Sequence, residues 1–196
     1  DNRYYGKLSG LSIIEPSSVE EAKEMIPYAF DLSEKLQEPV LFRTTTRINH
    51  STGIVTLGSI EKRITKGTFT KDPFNLVTVP AVSRKLHVKL LENIQKAQEI
   101  SETSKYNFSS GNGPWGIVCN GVSYNYVSDA VKDLGIEDKI KMLRIGFSHP
   151  MPENLIKQFA AECEKILVVE EGEPFMEEAI KSFAQESKIT IPIQGK

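Results

Sequence analysis

The segment from Arg43 to His50 carries the side chains with the greatest potential for binding chemistry. It contains three consecutive threonines, two arginines and a histidine, and it follows a short apolar run from Pro39 to Phe42. Such a run is typical of a buried strand in a parallel sheet, and open parallel sheets bind ligands beyond the carboxyl ends of their strands. The segment could therefore hold a carboxylate or phosphate through charge-assisted hydrogen bonds. The alternative interpretation is a polar loop whose threonine hydroxyls bond to its own backbone.

A second group of candidate residues is acidic. Glu170, Glu171 and Glu173 lie between an apolar run and a predicted helix that begins at Pro174. Neighbouring carboxylates can divide the roles of general acid and general base, because like charges separate their pKa values. Acidic residues are also favoured at a helix N-terminus, where the helix dipole stabilises negative charge. The second explanation needs no further assumption, so we expect these residues to cap the helix.

A glycine motif precedes one predicted strand. The stretch from Gly111 to Gly116 reads G-x-G-x-x-G, and a dinucleotide site would require this motif between a strand and a helix. Pro114 also removes one of the backbone donors that such a site uses. We therefore predict a turn here and no dinucleotide site.

The histidines and cysteines do not have the spacing of a metal site. His50, His87 and His149 are far apart in the sequence, and Cys119 and Cys163 are too few for a disulfide framework or an all-cysteine cluster. We expect no metal site, and we expect both cysteines to be reduced and buried.

The composition excludes several classes of function. The chain has 196 residues, and 24 lysines and arginines oppose 26 aspartates and glutamates, which gives a net charge of −2. Binding to nucleic acid requires a basic surface that this charge balance does not provide. No run approaches the roughly 18 apolar residues of a membrane span, and the first residues lack the apolar core of a signal peptide. We expect a cytoplasmic globular protein that binds neither nucleic acid nor membranes.

Apolar periodicity predicts the first element that positions these residues. Ser17 or Ser18 can cap a helix that starts near Val19, and a glutamate three residues later completes a capping box. Pro27 lies inside this helix and should kink it. A stripe at helical spacing is predicted to face the core, and it comprises Val19, Ala22, Ile26, Ala29, Phe30 and Leu36.

The middle of the chain is predicted to be a crossover linker. Residues 51–79 alternate threonines, glycines and isolated apolar residues without a helical period, which indicates an extended path. A second amphipathic helix then begins at Pro80. A polar, glycine-rich stretch from Ser101 to Pro114 marks a boundary after it. The apolar face of this helix comprises Val82, Leu86, Leu90, Ile94, Ala97 and Ile100.

The last part of the chain alternates strands with helices. Strands are predicted at 116–120, 141–147, 166–170 and 189–193, and helices at 123–134, 153–163 and 174–185. Strands that alternate with helices of about 10 to 15 residues form βαβ units. We therefore predict an α/β protein with a mostly parallel sheet.

Short motifs in a shared order along almost the whole chain carry a family resemblance. They are Glu15-Pro16-Ser17, Ala29-Phe30-x-Leu32-Ser33-Glu34-Lys35, Pro39-Val40-Leu41, Arg43-x-Thr45-Thr46-Arg47-x-x-His50, Phe69-x-Lys71-Asp72-Pro73, Gly121-Val122-Ser123-Tyr124-Asn125-Tyr126-Val127, Pro150-x-Pro152-Glu153 and Val168-Val169-Glu170-Glu171-x-x-Pro174. Together they resemble the alpha subunits of the thiamine-diphosphate-dependent 2-oxoacid:ferredoxin oxidoreductases, in the indolepyruvate branch of that family. Each motif is weak alone, but their common order over this length is specific.

The resemblance implies that the chain is an internal fragment of a longer subunit. Residues 1–50 are similar to the C-terminal piece of a pyrimidine-binding thiamine domain, and residues 51–111 form a linker with one amphipathic helix. Residues 112–196 are similar to a transketolase C-terminal-like domain, which has three αβα layers around a mostly parallel sheet. A fragment of this kind should expose an apolar surface where further strands would pair.

The resemblance also implies the activity of the parent enzyme, which is the oxidative decarboxylation of aryl 2-oxoacids to arylacetyl-CoA with ferredoxin as electron acceptor. Its cofactors would be thiamine diphosphate, Mg²⁺ and iron–sulfur clusters, and its partners a beta subunit, ferredoxin and coenzyme A. The family's activating glutamate, its Gly-Asp-Gly signature and its cysteine-rich tail are not in this sequence. We therefore expect the segment to be inactive alone, to bind none of these cofactors alone, and to act mainly in structure and assembly.

Within this frame we hypothesise that Arg47, helped by Thr45, Thr46 and His50, faces a substrate carboxylate or a cofactor phosphate. Two other functions stay open. One is a non-catalytic, transketolase-tail-like interaction module. The other is a related oxidoreductase that acts on pyruvate or a branched-chain 2-oxoacid.

Overall fold

The structure is a computed structural model that describes residues 1–60 and 66–196. Its helices are α1 (Arg3–Ser9), α2 (Val19–Leu36), α3 (Thr46–Asn49), α4 (Pro73–Leu76), α5 (Pro80–Glu102), α6 (Ser123–Asp133), α7 (Glu153–Ala161) and α8 (Phe175–Glu186). Its strands are β1 (Ser12–Ile14), β2 (Val40–Phe42), β3 (Asn107–Ser110), β4 (Trp115–Asn120), β5 (Ile140–Ile145), β6 (Phe147–His149), β7 (Lys165–Val169) and β8 (Ile193–Gln194). In these two ranges no helix combines the length and the apolar character that a membrane crossing requires.

The strands form two sheets. The larger sheet has the order β3-β5-β4-β7-β8, and all of its neighbours are parallel except β3, which runs antiparallel to β5. The smaller sheet has the order β2-β1-β6, in which β1 is parallel to β2 and antiparallel to β6. The prediction of an α/β protein with a mostly parallel sheet is confirmed.

Helices cover both faces of the larger sheet, which gives the predicted three layers. On one face Cys119 packs against the α6 residues Val127 and Val131. On the other face Val118 belongs to the main core, to which α7 contributes Ile156 and Phe159 and α8 contributes Met176 and Ile180. Residues alternate in direction along β4, so one short strand supplies apolar side chains to both layers.

The smaller sheet is covered mainly by α2 and α5. Ile14 of β1 and Phe147 of β6 share a cluster with Met25 of α2 and Ala97 of α5. The long helix α5 begins at Pro80, as predicted, and its predicted apolar stripe is buried or half-buried. Before it, the described part of the linker 51–79 contains α4 and no other regular element, and residues 61–65 lie outside the described ranges.

The prediction for the buried face of α2 was wrong in two positions. Ser18 caps the helix as expected, and the helix continues through Pro27, but Ile26 and Phe30 are 41% and 70% exposed. The reason is that α2 packs through a stripe rotated from the predicted one, made of Met25, Leu32 and Leu36.

The exposed α2 residues border an apolar groove beside β2, the outer strand of the smaller sheet. The groove has a volume of about 330 Å³. It is lined by Ile26, Ala29, Phe30, Ser33, Pro39, Val40 and Phe42. This is the kind of apolar surface that was expected beside an incomplete sheet.

Two strands pair with strands from the other side of the predicted boundary between residues 111 and 112: β6 pairs with β1, and β3 pairs with β5. The predicted strand 141–147 is two strands, because the chain leaves the larger sheet after β5 and enters the smaller one as β6. The stretch from Ser101 to Pro114, predicted as a polar boundary, contains β3. Asn107 fixes this junction, since its side-chain oxygen accepts from the backbone N–H groups of Gly146 and Phe147 at 2.9 and 2.8 Å. The domain limits 1–50, 51–111 and 112–196 stay a prediction.

Close packing at Gly116 on β4 yields a test of the core. A Cβ atom at this position would lie 2.8 Å from both Cys163 Sγ and the Phe159 ring. We expect Gly116→Ala to lower the free energy of unfolding by about 1 to 3 kcal/mol, because the surrounding core would have to shift. Denaturant titration measures this change. Gly58→Ala is the control, since a Cβ there meets no atom within 4 Å, and an equal loss in both variants would contradict the packing described.

Candidate functional site

The carboxyl ends of the parallel strands meet in one region of the molecule. Glu15 follows β1, Arg43 follows β2, Asn120 ends β4 and Glu170 follows β7. Open parallel sheets present their ligand sites at this end. The region combines a buried polar network with an exposed cationic groove, and the two have different roles.

The Glu15 carboxylate is the centre of the buried network and is only 1% exposed. One of its oxygens accepts from Asn120 Nδ2 at 2.9 Å and from Ser148 Oγ at 2.6 Å, and the other forms an ion pair with Arg43. Its backbone carbonyl accepts from Arg144 at 3.4 Å. Four side chains from four different strands or strand ends therefore converge on one residue.

Arg43 is part of this network and not of an open binding surface. Besides its ion pair with Glu15, its Nε donates to Asn2 Oδ1 at 2.7 Å, and its guanidinium lies 3.8 Å from Asp1. The guanidinium group is 9% exposed. Arg43 is one of the cationic residues in the segment from Arg43 to His50. Its guanidinium is bound by neighbouring residues within the fold.

A second buried ion pair joins Arg3 to Glu170, at 2.6 Å. Arg3 also donates to the backbone carbonyls of Glu171 and Glu173, at 2.7 and 3.0 Å. The Glu170 carboxylate accepts from the backbone N–H of Met176 at 2.9 Å, in the first turn of α8. Of the three glutamates expected to cap this helix, Glu170 does so through its carboxylate, whereas Glu171 and Glu173 meet Arg3 through their backbone carbonyls.

A shallow groove of about 580 Å³ lies beside α3, at the surface of the region where the carboxyl ends of the strands meet. Thr46, Arg47 and His50 are exposed, and the structure brings all three together in the groove. Thr45 does not line it, and its buried hydroxyl has no hydrogen-bond partner within the described residues. The full lining is Thr46, Arg47, His50, Ser51, Val122 and Tyr126.

The opposite wall of the groove comes from α6 and the residue before it, which the sequence argument did not include. Val122 and Tyr126 line the groove, and the Arg47 guanidinium lies over the Tyr126 ring at 6.0 Å from its centroid. Asn125 Nδ2 donates to the Ser17 carbonyl at 2.6 Å and so ties α6 to the start of α2. The sequence feature that could have indicated this wall is the run of polar and aromatic residues after the predicted strand 116–120.

The two cysteines and His149 are shielded from solvent by burial, which shifts their pKa values. Burial raises the pKa of the Cys119 thiol to about 12, and it also raises the pKa of Cys163, so neither is a nucleophile near neutral pH. Burial and the nearby Lys7 lower the pKa of His149 to about 4. The described ranges contain no group of three histidines, cysteines or carboxylates arranged to hold a metal.

The glycine motif forms the turn that was predicted from its position. Gly111 follows β3 with φ of +79°, and the chain then enters β4 at Trp115. A Cβ on Gly111 would lie 2.5 Å from the Ile140 carbonyl oxygen, so glycine is required for this close approach. The motif therefore serves the packing of β4 against its neighbours.

Comparison with curated proteins gives matches over the whole chain. It is 43% identical to the indolepyruvate oxidoreductase subunit IorA of Thermococcus kodakarensis and 38% identical to that of Methanothermobacter thermautotrophicus, covering 100% of this chain in both. The subunit of Archaeoglobus fulgidus is 40% identical over 90% of the chain. The chain spans about a third of the length of these relatives, or 31%, 32% and 28% respectively. The resemblance inferred from the motifs is confirmed.

Comparisons with family models and with solved structures give no match of comparable strength. No family model matches the chain. A 2-oxoglutarate:ferredoxin oxidoreductase from Magnetococcus marinus is 24% identical, with a TM-score of 0.42 over 60% of this chain and 20% of that one. A split-gene transketolase is 19% identical, with a TM-score of 0.39 over 44% of this chain and 29% of that one.

The central position of Glu15 generates a stability prediction. Glu15→Ala removes the carboxylate and leaves the Arg43 guanidinium buried without its main counter-charge. Breaking a buried pair in this way costs about 3 to 5 kcal/mol, and we expect a loss of that order in the free energy of unfolding measured in denaturant. Glu34→Ala on the exposed side of α2 is the matched control. A loss below about 1 kcal/mol for Glu15→Ala would show that the network does not hold the strands together.

Proposed function

We propose that this chain, a homologue over its whole length of a segment of the IorA subunits of indolepyruvate oxidoreductases, is part of the alpha subunit of an enzyme of that kind. The enzyme would carry out the oxidative decarboxylation of aryl 2-oxoacids to arylacetyl-CoA, with ferredoxin as the electron acceptor. The observation that carries the proposal is identity of 36 to 43% to six curated subunits that share this name. An interaction module without catalysis is not favoured by these matches.

The cofactors of such an enzyme would be bound mainly outside this segment. Its two cysteines are buried, Cys119 beside α6 and Cys163 in the core on the other side of the larger sheet, so they do not form a ligand set for an iron–sulfur cluster. The described residues also lack a carboxylate group arranged for Mg²⁺. We propose that thiamine diphosphate, Mg²⁺ and the clusters depend on other parts of the enzyme, as do contacts with a beta subunit, ferredoxin and coenzyme A. Cytoplasmic location would keep both thiols reduced.

The main contribution of this segment would be the assembly of the subunit. The Glu15 and Glu170 networks hold the ends of strands from both sheets at fixed positions. A second contribution would come from the groove beside α3, where the Arg47 guanidinium supplies a fork of N–H donors that matches a carboxylate or phosphate. Thr46 and His50 lie beside it and would add further hydrogen-bond donors.

Reconstitution tests the enzymatic proposal directly. A full-length subunit that contains this chain, co-expressed with its beta subunit, should reduce a ferredoxin-like acceptor with indolepyruvate, thiamine diphosphate, Mg²⁺ and coenzyme A. Omitting any one of the four should abolish reduction. Pyruvate and a branched-chain 2-oxoacid serve as comparison substrates, and faster turnover of either would move the assignment to another branch. A preparation with intact clusters that reduces nothing with any 2-oxoacid would overturn the proposal in favour of an interaction module.

The role of Arg47 is tested in the same enzyme. Arg47→Ala should raise the KM for one anionic ligand, the 2-oxoacid or thiamine diphosphate, by about ten- to a hundredfold, because one charge-assisted hydrogen bond contributes about 1.5 to 3 kcal/mol. Steady-state kinetics with each ligand varied in turn identifies which anion is affected. Arg84→Ala is the matched control, since Arg84 is an exposed arginine on α5. Unchanged KM values with unchanged stability would exclude Arg47 from ligand binding.

A further inference from the structure

We infer that Tyr126 is a positioning residue for Arg47, which it holds so that the guanidinium N–H groups face an anion in the groove beside α3. This inference rests on the proposed role of that groove and adds a residue from a different part of the chain. Arg47 and Tyr126 are 79 positions apart, as counted from their numbers. They meet because β2 and β4 end on the same side of the molecule.

The contact between the two side chains has the geometry of a cation over an aromatic face. The Arg47 Cζ atom lies 6.0 Å from the centre of the Tyr126 ring, and both residues line the groove. A guanidinium stacked on a ring keeps its N–H donors at its edge, where they can still bond to a ligand. Contact with the Tyr126 ring would therefore restrict the orientation of Arg47 without using the donors that bind an anion.

Three other arginines near this region, unlike the exposed Arg47, have carboxylates as partners. Arg3 pairs with Glu170, Arg43 with Glu15, and Arg144 with Glu21. Each of these charges is neutralised by a carboxylate within the fold. Among residues 1–60 and 66–196 no carboxylate forms an ion pair with Arg47. An aromatic partner orients a cation and leaves its full charge for an external anion.

Restricting the orientation of Arg47 would strengthen anion binding, because few neighbouring residues hold this side chain in place. It lies on α3, which has four residues, and its side chain is exposed. A long side chain in this setting loses rotamer freedom when it binds a ligand, and that loss weakens binding. Contact with a fixed ring before the ligand arrives would reduce this cost.

Tyr126 is itself held by its neighbours on α6. Val127 is buried against the larger sheet, and Asn125 donates to the Ser17 carbonyl at 2.6 Å. Tyr124 packs its ring against the Arg144 guanidinium, at 5.9 Å. The three residues that flank Tyr126 on α6 therefore attach the first half of this helix to the body of the protein, so the backbone that carries Tyr126 is held in place.

Kinetics of the reconstituted enzyme test the inference. Tyr126→Leu should raise the KM for the anion identified by Arg47→Ala about two- to fivefold and leave kcat unchanged, since cation–π contacts at exposed sites are worth about 0.5 to 1 kcal/mol. Tyr126→Phe keeps the ring and should keep the original KM. Tyr5→Leu, at an exposed tyrosine on α1, controls for the loss of a surface ring.

A double substitution separates this inference from the proposed function. If Tyr126 acts through Arg47, Tyr126→Leu should have no further effect in the Arg47→Ala background. Equal effects of Tyr126→Leu in both backgrounds, a fall in kcat alone, or failure of Tyr126→Phe to preserve KM would each overturn the positioning role. If Arg47→Ala leaves every KM unchanged, the proposed function of the groove fails instead.

Discussion

A buried carboxylate must be surrounded by donors, and in this protein that requirement fixes how the two sheets meet. Glu15 directly follows β1, the central strand of the smaller sheet, and its partners are Arg43, Asn120 and Ser148. Removing a charge from water is costly unless hydrogen bonds and a counter-charge replace the lost hydration. All three partners must therefore be in place together, and each one belongs to or follows a different strand. Glu15 consequently couples the ends of β1, β2, β4 and β6.

The same principle separates the structural cations from the one available for binding. Arg3, Arg43 and Arg144 have side chains that are 9% exposed or less, and each faces a carboxylate. Arg47 comes from the same sequence segment as Arg43 but extends to the surface, where it meets an aromatic ring. Two arginines four residues apart thus have opposite roles, because one points into the junction of the sheets and the other points away from it.

Sequence reasoning predicted the regular part of the fold well and the junctions poorly. The βαβ order after residue 112 follows from local periodicity, which is read within a short window. The strands β3 and β6 were missed because their pairing depends on distant segments. Glu15 was noticed as part of a family motif, but its role was not predicted, since its partners Asn120 and Ser148 are 105 and 133 positions away. Ile26 and Phe30 were placed in the core because helical periodicity does not tell which side of a helix a sheet will cover.

The pairing of β1 with β6 has a consequence for the order of events during synthesis. β1 and β2 are close in sequence, whereas β6, at residues 147–149, emerges from the ribosome more than a hundred residues after them. Until β6 is available, Glu15 lacks its partner Ser148, and β1 lacks the strand that pairs with it on the side away from β2. The smaller sheet therefore completes its fold late, after β3, β4 and β5 of the larger sheet have been translated. The segment that carries β1 and Glu15 is in this respect completed later than its position in the sequence suggests.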